Sequence, residues 1–184
     1  IIMVMALKPI YDLAKIKRVI VSTYQAVSGA GKEGIDELDA QVRDHSEGRE
    51  MTANILPSAS AEKHYPIAFN LIPQIDVFCD NLYTKEEMKM VNETKKIMED
   101  YEMRITATTI RVPVYRSHSE SVNIELEKEV DLGAMREALA KFPGVTVQDD
   151  PSKQEYPMPL YTSEKDDVYV GRLRRDESCE KSYN

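Results

Sequence analysis

Apolar and polar positions change period several times along the 184 residues. Ile1 to about Tyr11 is rich in Ile, Val, Met and Leu and reads as a helix. Lys17 to Tyr24 (KRVIVSTY) is a β-branched run of the kind a buried strand presents. Gln25 to Gly31 (QAVSGAG) then reads as a strand-to-helix turn, and from Lys32 to His45 the residues Ile35, Leu38 and Val42 recur at intervals of three and four, the period of an amphipathic helix. Ser46 to Pro66 has little periodicity and predicts a long loop, a length often tied to function or to an interface. Pro66 to Asp76 (PIAFNLIPQID) predicts a short apolar strand bounded by prolines, suited to a sheet edge. Thr84-Lys85-Glu86-Glu87 has capping-box spacing and opens a helix to about Glu99, with Val91, Thr94 and Met98 as its inner stripe. Between Arg104 and Glu127 two runs rich in Ile, Val and Thr flank Ser117-His118-Ser119-Glu120, giving a strand, a break and a strand. A helix from Asp131 to Phe142 leads through Pro143-Gly144 into a strand at Val145 to Val147. Asp167 to Arg174 gives a final strand, and Asp176 to Asn184 is polar and unpatterned.

Five or six strands with helices between and after them define an α+β fold: a mixed, largely antiparallel sheet covered by helices on one face. The other face, half apolar, needs cover of its own, which makes it available for dimerisation. The length suits one well-filled core or at most two small ones. Because the chain starts without Met and already inside an apolar helix, a piece excised from a longer protein is expected.

Composition narrows the function. Apolar residues make up 42% and charged residues 30%, the balance of a globular domain. With 24 basic and 32 acidic residues the net charge is −8, which argues against nucleic acid and anionic membrane as partners. No apolar run approaches the roughly 20 residues that span a bilayer. Cys79 and Cys179 form no CxxC pair, so neither a disulfide framework nor a metal site is indicated, and a reducing cytoplasm is the simplest home.

Chemistry concentrates in the Arg104 to Glu127 stretch. Of the three histidines only His118 sits between two strong strands, seven residues after Arg111; His64 reads as a solvated loop residue. Seven is odd, so along one unbroken strand the two side chains would face opposite ways. A turn or bulge after Pro113 resets the phase and brings a titratable base and a planar carboxylate-gripping cation to one pocket edge. The alternative is a surface histidine in a loop. Likewise, the small residues Ser28 to Gly31 either let backbone amides approach an anion at a helix start or merely fit helix against sheet. Glu86 and Lys89, three apart, are neighbours on their helix, and an exposed ion pair accounts for them equally.

RVPVYRSHSES (residues 111–121), with STYQAVSGAG (22–31) and PIAFNLIPQID (66–76), closely resembles the aspartate-semialdehyde dehydrogenase family, and the agreement covers nearly the whole chain. The resemblance implies an oxidoreductase that interconverts 4-phospho-L-aspartate and aspartate 4-semialdehyde with NADP through a cysteine thioester, on the route to lysine, threonine and methionine. It implies that residues 1–184 are the substrate-binding and dimerisation domain, without the N-terminal dinucleotide-binding domain, the nucleophilic cysteine or the C-terminal return segment. Carried over by motif, His118 is the proton-transfer group, Gln25 orients the acyl group, and Arg111 holds the α-carboxylate. Glu86 pairs with the α-ammonium, Lys89 faces phosphate, and Ser28 and Gly29 lie near the nicotinamide. The implied partners are an amino-acid substrate, phosphate and a second copy of the chain, as a homodimer or higher oligomer. One departure stands out: Ser117 precedes His118 where many relatives have glycine, which puts the turn geometry in question. A related amino-acyl-phosphate reductase and a non-catalytic dimerisation module are the competing readings.

Overall fold

The computed structural model describes residues 1–184. In chain order it contains α1 (Ile2–Leu13), β1 (Ile16–Gln25), a 3-10 turn (Val27–Ala30), α2 (Gly31–Ser46), α3 (Lys85–Met98), β2 (Arg104–Arg111) and β3 (Ser119–Leu126). These are followed by α4 (Leu132–Lys141), β4 (Val145–Val147), a second 3-10 turn (Pro151–Lys153), α5 (Pro159–Thr162), β5 (Val168–Val170) and β6 (Ser182–Tyr183). The class is α+β, as the pattern of runs predicts. Four strands form a mixed sheet in the order β2-β1-β3-β6, and β4 pairs with β5 in parallel. The chain divides into two compact units, one of residues Ile1–Val21, Val91–Thr106 and Glu120–Asn184, the other of Ser22–Met90 and Ala107–Ser119. No helix is long and apolar enough to cross a membrane.

In the first unit, α1 buries Met3, Val4, Leu7 and Ile10, one stripe of its surface, and packs against α4, which buries Met135 and Leu139. Asp131 caps α4 by accepting the Ala134 N–H at 3.1 Å. The last strand is shorter than Asp167 to Arg174, because Arg172 takes φ 59 and a left-handed residue ends an extended run. The polar tail is not structureless either. Tyr183, fully buried, pairs opposite Ile124, donates its hydroxyl to the Val130 carbonyl at 2.7 Å and accepts the Val130 N–H at 2.9 Å. One aromatic in a charged segment carries too little periodicity to announce such an anchor.

The second unit is built on a cluster of Val27, Leu38, Leu56, Ile67, Ala68 and Ile72. The inner face of α2 is rotated from the expected stripe: Leu38 and Gln41 are buried, whereas Val42 is 38% exposed. Gln41 anchors the long loop that follows. Its Oε1 accepts the N–H groups of Ile67 and Ala68 at 2.9 and 3.0 Å, and its Nε2 donates to the Thr52 carbonyl at 2.8 Å. PIAFNLIPQID accordingly forms no strand. Phe69 and Asp76 have φ of 60 and 66, two prolines lack donors, and only Ile72 makes an antiparallel bridge, to Arg111. His64 is tethered rather than freely solvated, with Nε2 3.1 Å from the Ser58 carbonyl oxygen.

Replacing Gln41 by Leu leaves the buried N–H groups of Ile67 and Ala68 without their acceptor, while the carbonyl of exposed Thr52 can turn to water. Gln41→Leu is therefore expected to lower stability by about 2 kcal/mol in urea unfolding, at the typical ~1 kcal/mol or more per orphaned buried group.

Candidate active site

Two buried rows of side chains lead into the second unit and turn polar as they arrive. On β1 the inward positions are Val19, Val21, Thr23 and Gln25; on β2 they are Ala107, Thr109 and Arg111. Past Arg111 the chain leaves the strand but stays beside the turn that follows β1. Val112 N–H donates to the Gln25 carbonyl at 3.0 Å, Val27 N–H to Val114 at 2.8 Å, and Ser28 N–H to Tyr115 at 3.0 Å. Both residue numbers rise together, so the two segments run parallel. Tyr115 ties its loop to α2 through a 2.6 Å hydrogen bond from its hydroxyl to Asp39, the main cause of a raised phenol pKa.

His118 lies seven positions after Arg111, yet both reach the same place beside Gly29, because residues 112–118 do not continue the strand. The reversal uses Ser117 in the left-handed region, at φ 71, a conformation natural to glycine and costly for serine. Convergence is tight. A Cβ placed on Gly29 would meet Arg111 Nη1 at 2.8 Å and His118 Cε1 and Nε2 at 3.4 Å each. Gly29 is thus required by close approach, in a turn whose other members carry side chains.

The peptide of Ala26 holds both groups. Its N–H donates to His118 Nδ1 at 2.9 Å, and its carbonyl accepts from Arg111 Nη1 at 2.7 Å. A ring nitrogen that accepts a hydrogen bond carries no proton, so the neutral imidazole has its hydrogen on Nε2. His118 keeps an exposed surface, yet loss of water from part of the ring, and then the charge of Arg111, hold its pKa below the ordinary value, with Glu86 pulling the other way. Protonation at Nδ1 would also set two N–H groups head to head. Arg111 is 4% exposed, and its Nε has no acceptor in the protein. Burial lowers its pKa and the nearby Glu86 carboxylate raises it.

Glu86, on the first turn of α3, completes the cluster. Gln25 Nε2 donates to Glu86 Oε1 at 3.2 Å, and Lys89 Nζ lies 3.7 Å from Oε2. Lys89 keeps 58% of its side chain exposed. Of the residues singled out from the sequence, His118, Arg111, Gln25, Glu86, Lys89 and Gly29 are thereby brought together. Ser28 lies in the same turn with its N–H engaged. Of the two readings of this turn, amides for an anion or a fit of helix to sheet, the second has the support of four N–H groups already engaged within the protein. The N–H groups of Val27 and Ser28 go to residues 114 and 115, that of Gly29 to the Ala26 carbonyl at 3.2 Å, and that of Gly31 to Ser28. Ala26 itself escaped notice, since a residue acting only through its backbone leaves no side-chain signal.

The fold is thus an α+β one in which an imidazole, a buried guanidinium and a carboxylate are gathered within a single unit. The chain belongs to the family described as semialdehyde dehydrogenase, dimerisation domain, whose model matches residues 7–184. It is 52% identical over 174 residues to the aspartate-semialdehyde dehydrogenase of Aquifex aeolicus, covering 95% of this chain and 49% of that protein. The crystal structure of aspartate semialdehyde dehydrogenase II complexed with ASA from Vibrio cholerae matches with a TM-score of 0.90 at 42% identity, over 99% of this chain and 52% of that one. The Candida albicans aspartate semialdehyde dehydrogenase with NADP shares the fold, with a TM-score of 0.63 at 20% identity, over 97% of this chain and 47% of its own. The chain spans about half the length of the relatives it matches.

Two substitutions check this geometry. Ser117→Gly relieves a left-handed serine and should stabilise the chain by about 1 kcal/mol, read as a higher melting temperature. Gly29→Ala pushes a methyl group onto Arg111 and His118. It should lower the melting temperature, by about 2–4 °C for each kcal/mol lost as the buried Arg111 gives way. The same change should shift the His118 ring resonances by NMR.

Proposed function

We propose that the full-length protein is an aspartate-semialdehyde dehydrogenase and that residues 1–184 are its substrate-binding and dimerisation part. The observation that carries this reading is the convergence of Arg111 and His118 on the side chain-free face of Gly29. The family membership and the Aquifex aeolicus relative support it. The dinucleotide-binding domain and the nucleophilic cysteine lie, on this reading, outside these residues. Neither Cys79 nor Cys179 hydrogen-bonds to the cluster, and we assign neither a catalytic role.

Each group has a task that suits its chemistry. Arg111, a buried cation with an unpaired Nε, binds the substrate α-carboxylate by charge-assisted hydrogen bonds. Glu86 takes the α-ammonium, steadied by Gln25, whose carbonyl end orients the acyl group. Lys89, exposed and mobile on its stem, meets phosphate as a point charge. His118 offers Nε2–H to the oxygen that gains charge when the acyl group is attacked and when its leaving group departs. For the same nitrogen to take a thiol proton, the hydrogen must first shift to Nδ1, which breaks the bond from Ala26. The tautomer in place therefore favours the donor role.

NADP enters this reading from the family alone: a Cβ on Gly29 would already meet Arg111 Nη1 at 2.8 Å and His118 at 3.4 Å, so that spot is filled by the protein's own side chains. Ser28 and Gly29 would border its nicotinamide end, and the cofactor supplies hydride exchange at the acyl carbon. The functional assembly is a homodimer or higher oligomer, in keeping with the dimerisation-domain family, and its setting is the cytoplasm.

In the full-length protein, His118→Ala should lower turnover by about 10²–10⁴-fold with the circular dichroism spectrum unchanged. Near-normal turnover removes His118 from the mechanism. Protonation at Nδ1 sets two N–H groups head to head and frees the ring from Ala26, so kcat/KM should fall as pH drops through the His118 pKa, with a midpoint below the ordinary imidazole value of about 6.5. Because the Glu86 charge raises that pKa, Glu86→Gln should move the midpoint lower still.

A further inference from the structure

The capping residue of α3 does more than cap. Glu87 is only 8% exposed, and both of its carboxylate oxygens are used. Oε2 accepts the Thr84 N–H at 2.8 Å while the Glu87 N–H donates to Thr84 Oγ1 at 3.2 Å, the reciprocal pair of a capping box. Oε1 accepts the Thr109 N–H at 2.9 Å. That third bond is no part of a helix cap. β2 is the edge strand of its sheet, and an edge N–H left without an acceptor in a buried site is costly.

One carboxylate thus fastens the first turn of α3, which carries Glu86 and Lys89, to the strand that carries Arg111 two residues beyond Thr109 on the same face. An α-amino acid bears its ammonium and carboxylate on a single carbon, so their receivers must keep a fixed spacing. We propose that Glu87 is a positioning residue that sets the distance between Glu86 and Arg111 and so tunes the site to a substrate carrying both charges. This inference rests on the proposed function. An ionised carboxyl suits the task because it presents two acceptors, whereas a glutamine presents one acceptor and an NH₂ that would face a donor.

The test compares two aldehydes in the full-length enzyme: aspartate 4-semialdehyde, and succinic semialdehyde, which lacks the ammonium. With Glu87→Gln, KM for the amino-bearing aldehyde should rise by about 10–100-fold, the scale of a small misplacement, with kcat within about threefold. The loss of kcat/KM with succinic semialdehyde should stay under about threefold. Thr84→Ala, which removes the cap hydroxyl but keeps the bridge to Thr109, should lower the melting temperature without changing the ratio of the two substrates. Equal losses on both aldehydes, a loss in kcat alone, or no loss would overturn the proposal and leave Glu87 a cap. Should the glutamine variant fail to fold, Glu87→Asp, too short to reach Thr109, reads the same ratio. A wild-type enzyme that turns over neither aldehyde, or shows no preference for the amino-bearing one, refutes the functional reading instead.

Discussion

The peptide unit of Ala26 is the constraint on which the site depends. A single amide offers one donor and one acceptor, and here the donor fixes an imidazole while the acceptor fixes a guanidinium. Rotation of that peptide would release both groups together. Ala26 is fully buried between the end of β1 and a 3-10 turn, and the next two N–H groups are bound by the segment that follows Arg111. The clamp is therefore rigid for a reason outside the site: backbone hydrogen bonds that have no water to replace them.

A buried arginine is expensive unless its charge is answered. Arg111 meets this with the Ala26 carbonyl on one nitrogen and the Glu86 carboxylate near by, while its buried Nε has no acceptor in the protein. His118 answers the same field in the opposite sense, by staying neutral. A cation and a ring held toward its neutral form thus meet at one missing Cβ, with the Glu86 carboxylate acting on both.

Long irregular segments support these groups without regular structure. The stretch between α2 and α3 contains no strand, yet it supplies Leu56, Ile67, Ala68 and Ile72 to the core of its unit. Buried Gln41 satisfies the backbone there in the way a sheet would, and Ile72 exchanges bonds of 3.1 and 2.9 Å with Arg111 along the exposed side of β2. Glu87 serves the preceding alternate position of the same edge. One loop and one helix cap thereby do the work of a missing fifth strand.

How much of this the residues announce depends on the range of the interaction. Runs of β-branched residues, the three-four spacing of α2, the capping box at Thr84 and Glu87 and the cap at Asp131 are local, and the elements they specify are present. The family, too, was legible in three short motifs, because together and in that order they are far more specific than any one of them. What stayed hidden was long-range. The burial of Gln41 in place of Val42, the collapse of PIAFNLIPQID into a loop and the burial of Tyr183 each depend on a partner far along the chain. So does the sharing of one peptide by His118 and Arg111. Sequence by itself determined which side chains carry charge and where helices and strands begin; only the tertiary structure decided which backbone groups they would meet, since every peptide carries the same donor and acceptor and none is marked in advance.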